Sequence, residues 1–299
     1  TDLRQRTSTS TAGTPVPSTQ TTFKHKPIKS LSNPRFFISH VIRVVAGILY
    51  TLVTIPLLWI ILPFRPFNPY LRKLGIGNSK LPLDLAQKYW AKGMLTLLGV
   101  KVVTEGEHNV DPEASVVLMY SHASNLDAFV IMGWSPVAVK FVFKSSLLYT
   151  AFFIFPLAWL YGHIPINRSN RNSAIHSLEN AGKKIKKYNR SVCIAPEGTR
   201  SPTGQLQEFK KGPFHLTKSA DVPVIPAIMF NNFDLWPPGQ TFPFSGEVRL
   251  RFLPKIVPTP EDTPDSISKK VHDAMEEGLK NLPKIENREN YDSMFPALF

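Results

Sequence analysis

Residues 116–126 read VVLMYSHASNL and are followed by Asp127. An apolar run ends at Ser121-His122, a short polar stretch follows, and apolar residues resume at Ala128. The pattern predicts a buried strand delivering His122 to a sheet edge, then a helix beginning near Asn125. On a regular helix, residues five apart would hold their side chains roughly 140° from each other. His122 and Asp127 meet only if the histidine sits on the loop and the aspartate in the first helical turn, with Ser124 or Asn125 as the cap. The carboxylate would then fix one imidazole nitrogen and leave the other as a general base. Chance alone yields roughly 0.3 such spacings in a chain of this His and Asp content, so the rest of the chain must decide whether the pair is a site.

Such a pair needs a rigid frame. From Gly99 onward the apolar pattern predicts strands at 100–104, 115–120, 137–143, 191–195, 222–230 and 248–253. Between and after them it predicts helices at 126–134, 147–161, 172–188, 209–219 and 264–282. Thr263 is the expected cap of the last helix and Pro264 its first residue. Strands alternating with helices predict an α/β fold: a mixed, largely parallel sheet flanked by helices. Cys193, the only cysteine, lies in a strand run and reads as a buried thiol, which excludes an intrachain disulfide and cysteine-based metal sites.

The N-terminal third is organised differently. Residues 1–33 are rich in Ser, Thr, Pro and Lys and are expected to be a disordered tail. Residues 44–62 run for 19 positions without a charge, about 28 Å as a helix and close to a ~30 Å hydrocarbon core. A membrane-embedded helix is expected there, spanning or folding back at a kink at Pro56. Pro63, Pro66 and Pro69 end it, with Arg65, Arg72 and Lys73 just beyond. The flanking cations do not choose an orientation. A second helix is expected at 84–98, which closes a membrane-associated segment at 34–98 ahead of a catalytic domain at 99–299. No secretory signal is expected. The net charge of +13 implies acidic partners, an anionic membrane surface or a polyphosphate; zinc-finger, homeodomain and basic-zipper patterns are missing, so nucleic acid is not expected.

Four further stretches carry polar groups at strand ends. Lys144 precedes the apolar run 147–161. Residues 162–168, Gly-His-Ile-Pro-Ile-Asn-Arg, form a short apolar strand ending in a cation. The strand at 191–195 runs into Pro196-Glu197-Gly198-Thr199-Arg200-Ser201, where Gly198 permits a sharp turn and Thr199 and Arg200 suit a phosphate or an oxyanion. Phe209-Lys210-Lys211-Gly212 follows, then Val222-Pro223-Val224-Ile225-Pro226, which taken alone reads as an edge strand tolerating proline. Lys183, Lys184, Lys186 and Lys187 end a helix and either face solvent or attract lipid headgroups and coenzyme A phosphates.

In order and spacing these blocks resemble the glycerolipid acyltransferase family, the 1-acylglycerol-3-phosphate acyltransferases and their relatives. The His-x4-Asp block is His122 to Asp127, the second block is Gly162 to Arg168, the third is Pro196 to Ser201 and the fourth is Val222 to Pro226. Ser121, Pro165 and Asn167 depart from the Asn, aromatic and Asp common in the family, which bears on the acceptor rather than the reaction. The resemblance implies His122 and Asp127 as catalytic residues. It implies substrate contacts from Lys144, Gly162, Arg168, Glu197, Gly198, Thr199 and Arg200, with Arg200, Lys144 and Arg168 on the acceptor phosphate.

The implied reaction moves an acyl group from acyl-CoA, as co-substrate, to a lysophospholipid hydroxyl, taking lysophosphatidic acid to phosphatidic acid. Neither a metal nor a further cofactor is expected. Amides just after His122 are expected to hold the oxyanion, and residues 147–161 to form a wall of the acyl channel. Expected partners are acyl-CoA, a lysophospholipid and a bilayer, with the chain in the endoplasmic reticulum membrane. Its domain would face the cytosol, because a glycan at the sequon Asn167-Arg168-Ser169 would obstruct the site. Alternatives are a glycerol 3-phosphate or other lysophospholipid acceptor, a coenzyme-independent transacylase and a silent lipid-binding adaptor. A serine hydrolase is excluded, because the chain lacks a Gly-x-Ser-x-Gly elbow.

Overall fold

The computed structural model describes residues 34–77, 81–150, 154–169 and 171–280. The tail at 1–33 and the expected end of the last helix at 281–282 lie outside them. Helix α1 (Pro34–Ile61) runs through Pro56. The prolines at 63 and 66 fall in a following 3₁₀ turn (Leu62–Phe67), and a single turn of helix, α2 (Asn68–Lys73), completes the segment. Helix α3 (Pro82–Leu97) then packs antiparallel along α1. A Cβ at Gly47 would touch Leu98 and Met94, and one at Gly93 would strike the Tyr50 ring, so the two backbones approach closely. Val44, Ile55 and Leu58 are buried, whereas Ile48, Leu52, Val53, Leu57 and Ile60 are exposed. By length and composition this is the one helix among the described residues able to cross a membrane.

Among the described residues the domain that follows holds seven strands: β1 (Val100–Glu105), β2 (Val117–Tyr120), β3 (Val139–Lys144), β4 (Ile164–Ile166), β5 (Ser191–Ile194), β6 (Val224–Phe230) and β7 (Gly246–Phe252). Their order is β1-β7-β6-β2-β5-β3-β4. All neighbours are parallel except β6 and β7. Thus β2 to β6 all end at one edge of the sheet, called here the upper edge, and begin at the lower edge. Helices α4 (Asp127–Trp134), α7 (Arg171–Tyr188), α8 (Gly212–Ala220) and α10 (Pro264–Lys280) cover the faces, with short helices α5 (Leu147–Thr150), α6 (Phe155–Leu160) and α9 (Asn232–Leu235) at the ends of strands.

Alternate strand residues enter opposite cores, as the pleat requires. Leu118 and Cys193 pack with Val130 and Ile131 of α4. Val117, Met119, Val192 and Ile194 pack with Leu178, Phe214 and Val271 of α7, α8 and α10. Because both faces are covered, β2 and β5 are buried at every position, which is why they read as unbroken apolar runs. Reciprocal bonds between Thr263 and Ser266 (Ser266 N to Thr263 Oγ1, 3.1 Å; Thr263 N to Ser266 Oγ, 3.0 Å) start α10 where its cap is expected.

Three expectations are corrected. The described residues of 147–161 form two short helices, α5 and α6, rather than one; Pro156 sits in the first turn of α6, where its missing N–H costs no helical bond. Strand β6 is internal, not an edge. Its Pro226 is accommodated because pairing with β7 begins only at Ala227, and its carbonyl still accepts from Leu253 N at 2.8 Å. Helix α4 starts without a side-chain cap; Ser124 Oγ instead accepts from Leu126 N at 3.1 Å and donates to the Trp236 carbonyl at 2.8 Å.

Candidate active site

At the upper edge β2 ends at Tyr120 and His122 follows on the loop, while Asp127 opens α4. The two side chains meet, His122 Nδ1 to Asp127 Oδ2 at 2.8 Å. Asp127 is fully buried, and its oxygens have no other solvent. The same Oδ2 accepts from the amides of Ala123 and Ser124, both at 2.9 Å. Oδ1 accepts from Asn232 Nδ2 at 2.7 Å. Four N–H donors around one buried carboxylate fix its plane, and through it the imidazole, whose Nδ1–H donates and whose Nε2 is left to act as a base. The Tyr120 ring meets the imidazole edge-on at 5.4 Å between centroids, so His122 has little freedom to turn. About a fifth of the His122 side chain remains accessible.

The amides after His122 are therefore not an oxyanion hole. Ala123 N and Ser124 N serve Asp127, Asn125 N donates to the Trp236 carbonyl at 3.1 Å, and Leu126 N serves Ser124. The amides of Thr199 and Arg200, on the neighbouring turn, carry no intramolecular bond among the described residues.

That turn follows β5, whose Ile194 lies beside Met119 of β2. Glu197 is buried, and it clamps two loops together. Its Oε1 accepts from His122 N at 2.7 Å, and its Oε2 accepts from Gln207 N at 3.2 Å and Gln207 Nε2 at 3.1 Å. Burial pushes the Glu197 carboxyl up to about 7, against the pull of these donors and of His122. Ser201 N closes the link, donating to the His122 carbonyl at 2.7 Å. Gly198 takes φ of +77°, which turns the chain back sharply enough for Lys210 N to reach the Pro196 carbonyl at 2.8 Å.

The predicted cations divide by position. Arg168, just past β4, donates through Nη1 to the Gly198 carbonyl and so leans onto the same turn. Arg200 and Thr199 are exposed beside it, and Arg200 has no hydrogen bond or ion pair among the described residues. Lys144 is exposed at the end of β3, opposite Ile166 in register and so on the same edge. Gly162 is the exception. It precedes β4, at the lower edge, with φ of +96°. A Cβ there would lie 3.4 Å from Arg190 and 3.7 Å from Arg65, not near His122. Its expected place among the substrate contacts is therefore corrected; its turn starts β4 on the far side of the sheet. Helix α6 likewise packs against α1, with Leu157 and Tyr161 against Ile55 and Leu58.

Sequence reading missed Asn232, Gln207 and Tyr120. Asn232 lies 105 positions from the carboxylate it holds, and an Asn beginning a one-turn helix carries no local signal. Tyr120 was visible only as the last residue of an apolar strand. Among the described residues no three His, Cys, Asp or Glu side chains gather in a way that could hold a metal ion.

A family model described as Acyltransferase matches residues 101–230, the span that contains all four blocks. The 1-acyl-sn-glycerol-3-phosphate acyltransferase of Saccharomyces cerevisiae is 32% identical over 215 residues, covering 69% of this chain and 69% of its own. The protein of the same name from Limnanthes alba is 29% identical over 256 residues, covering 85% and 83%. In fold the chain resembles the crystal structure of the 1-acyl-sn-glycerophosphate (LPA) acyltransferase of Thermotoga maritima, with a TM-score of 0.60 over 81% of this chain and 99% of that one at 22% identity. With the His-x4-Asp pair and the Pro-Glu-Gly-Thr-Arg turn facing one another across adjacent strands, the chain belongs to the glycerolipid acyltransferase family.

Proposed function

We propose that the chain transfers an acyl group from acyl-CoA to the free hydroxyl of lysophosphatidic acid, forming phosphatidic acid at a membrane surface. One observation carries this reading: His122 Nδ1 is held on Asp127 at 2.8 Å, directly beside a turn that carries Arg200 and onto which Arg168 leans. His122 Nε2 takes the proton of the acceptor hydroxyl as its oxygen attacks the thioester carbonyl, and Asp127 stabilises the imidazolium that results. The carbon–sulfur bond then breaks and the proton passes to the departing thiolate, giving coenzyme A. Because a thiol ionises near pH 8.5, this departure needs no separate strong acid. Arg200, Arg168 and Lys144 hold the acceptor phosphate, a task for which the guanidinium fork is well shaped.

The exposed side of α1 meets lipid. Helix α1 packs along α3, so an upright crossing would carry Asp84, Lys88 and Lys92 of α3 into hydrocarbon at a cost of several kcal/mol. A helix lying in one leaflet, apolar side outward, avoids this cost. The acyl chains then approach the upper edge from that leaflet, along α1 and the exposed Tyr149, Ile154 and Trp159. An endoplasmic reticulum membrane with the sheet domain in the cytosol fits the cytosolic pool of acyl-CoA and keeps the sequons at Asn167 and Asn189 unglycosylated.

The test is the purified chain in mixed micelles with labelled acyl-CoA, or in a parallel run with labelled phospholipid as donor, and a panel of acceptors: lysophosphatidic acid, glycerol 3-phosphate, and lysophospholipids with larger headgroups. Transfer fastest to lysophosphatidic acid is expected. Turnover on none of them would replace the enzyme by a lipid-binding adaptor, and label moving only from phospholipid donors would replace acyl-CoA transfer by transacylation.

A further inference from the structure

The lower edge of the sheet, opposite His122, carries a second concentration of positive charge that the transfer reaction leaves unused. An open cleft there is lined by Arg65, Asn68, Arg72, Asp84, Lys140 and Arg190. Among the described lining residues are four cations and one carboxylate, Asp84, which pairs with the buried Lys140. The cations converge on the space that Gly162 leaves empty. From the point where its Cβ would stand, Arg190 Nη1 is 3.4 Å away, Arg65 Nη2 3.7 Å and Lys140 Cε 3.9 Å. Burial, with the neighbouring Arg72 and Arg65 charges, lowers the pKa of Arg190 against the opposing pull of Asp84.

The segment that supplies Arg65, Asn68 and Arg72 to this lining is two-faced. Arg65, Asn68 and Arg72, spaced three and four apart, turn to the cleft. Beside and between them Phe64, Phe67, Tyr70 and Leu74 are exposed. This apolar stripe continues the exposed side of α1, and aromatic residues of this kind sit at the headgroup level of a bilayer. A soluble phosphate needs no such stripe. A lipid does, because its chains must lie against something apolar while its phosphate reaches the cations.

We propose that this lower cleft binds the phosphate of an anionic membrane phospholipid, as a site separate from the catalytic edge, with the lipid chains against the stripe from Phe64 to Leu74. Arg65, Arg72 and Arg190 hold the phosphate oxygens, Asn68 donates alongside them, and Lys140 is kept in place by Asp84. The site fixes the chain on anionic membrane at the end of α1. It does not depend on the identity of the acyl acceptor.

Native mass spectrometry of the full chain, released from detergent micelles doped with phosphatidylglycerol, tests this directly. One retained phosphatidylglycerol is expected for the wild type and equally for His122→Ala and Arg200→Gln, which separates this site from the catalytic one. Arg72→Gln with Arg190→Gln should weaken retention roughly 30-fold, from about fivefold per cation at a lipid surface. Lys183→Gln with Lys184→Gln, an equal charge change on exposed α7, should leave it within about threefold. Wild-type retention should also fall as salt rises from about 0.05 to about 0.5 M, which needs no variant to fold. Retention of phosphatidylcholine equal to phosphatidylglycerol, loss in Arg200→Gln, indifference to salt, or unchanged retention in the folded Arg72/Arg190 variant would each overturn the proposal. Displacement of the lipid by an equal concentration of inorganic phosphate would overturn the lipid as the ligand.

Discussion

Asp127 accepts four N–H bonds while fully buried, so its replacement by Asn disturbs more than a charge. The amide would turn its NH₂ toward donors already present, leaving two N–H groups facing each other and the imidazole free to adopt the wrong tautomer. Asp127→Asn should lower kcat roughly 10²–10⁴-fold with little change in KM for acyl-CoA; a KM effect alone would show that the pair binds rather than catalyses. Glu197 makes a second prediction. Burial raises its carboxyl from the ordinary 4.5 to about 7, so the folded chain binds that proton more tightly than the unfolded one. The resulting stabilisation is complete below pH 4.5 and is lost as pH rises through about 7. Stability measured for wild type minus Glu197→Gln should therefore decline across that window and level above it; a flat difference would contradict the assignment. At this scale the sequence was legible where partners are close in the chain. His122 and Asp127 are five apart, and the meeting geometry followed from helix rotation. Asn232 and Gln207 were hidden because their bonds depend on which strands become neighbours, and the assigned oxyanion amides failed because Asp127 takes them first.

Elements were legible in proportion to how fully their burial writes a pattern. Strands β2 and β5, buried on both faces, stood out as apolar runs, and α10, with one buried stripe of Ile267, Val271 and Met275, stood out by its period. The run at 147–161 misled because it is apolar all round, which says nothing of where a helix breaks. His163 shows another limit. It stood in the 162–168 stretch with no role of its own, yet Phe141 N donates to its Nδ1 at 2.8 Å and its Nε2 meets Gln87 at 3.1 Å, so it is a neutral bridge from β3 to α3. Burial and the Lys140 charge lower it to about 3. Helices α7 and α8 meet closely enough to permit a sharp test. A Cβ on Gly182 would stand 2.1 Å from Ser219 Oγ and 2.7 Å from the Leu216 carbonyl. Alanine would gain about 1 kcal/mol of helix propensity, but backbone cannot move aside as a side chain can. Gly182→Ala should therefore destabilise the domain by about 1–2 kcal/mol net, read from urea unfolding; a stabilised variant would show that α7 and α8 lie farther apart.

For the whole molecule, the parallel run of β6-β2-β5-β3-β4 explains why one edge gathers the chemistry. Strands parallel in a sheet deliver their following loops to the same side, so residues 122, 144, 168 and 197–200 share an edge despite their separation in the chain. Order along the chain predicted the strands but not their neighbours, and Gly162, six positions before Arg168, lands on the opposite edge because β4 lies between them. The apolar side of α1 gives the molecule a second direction, toward lipid. Leu52→Glu with Ile60→Glu, both exposed, should reduce partition into neutral vesicles at least tenfold, since each removes buried apolar surface and adds a charge; unchanged partition would place the membrane contact elsewhere.

The most direct measurement is the rate of acyl transfer by folded His122→Ala beside wild type, with labelled acyl-CoA and lysophosphatidic acid at saturation. Loss of the base should lower kcat at least 10²-fold while both substrates still bind. A variant that transfers at the wild-type rate would remove His122 from the chemistry and the proposed mechanism with it.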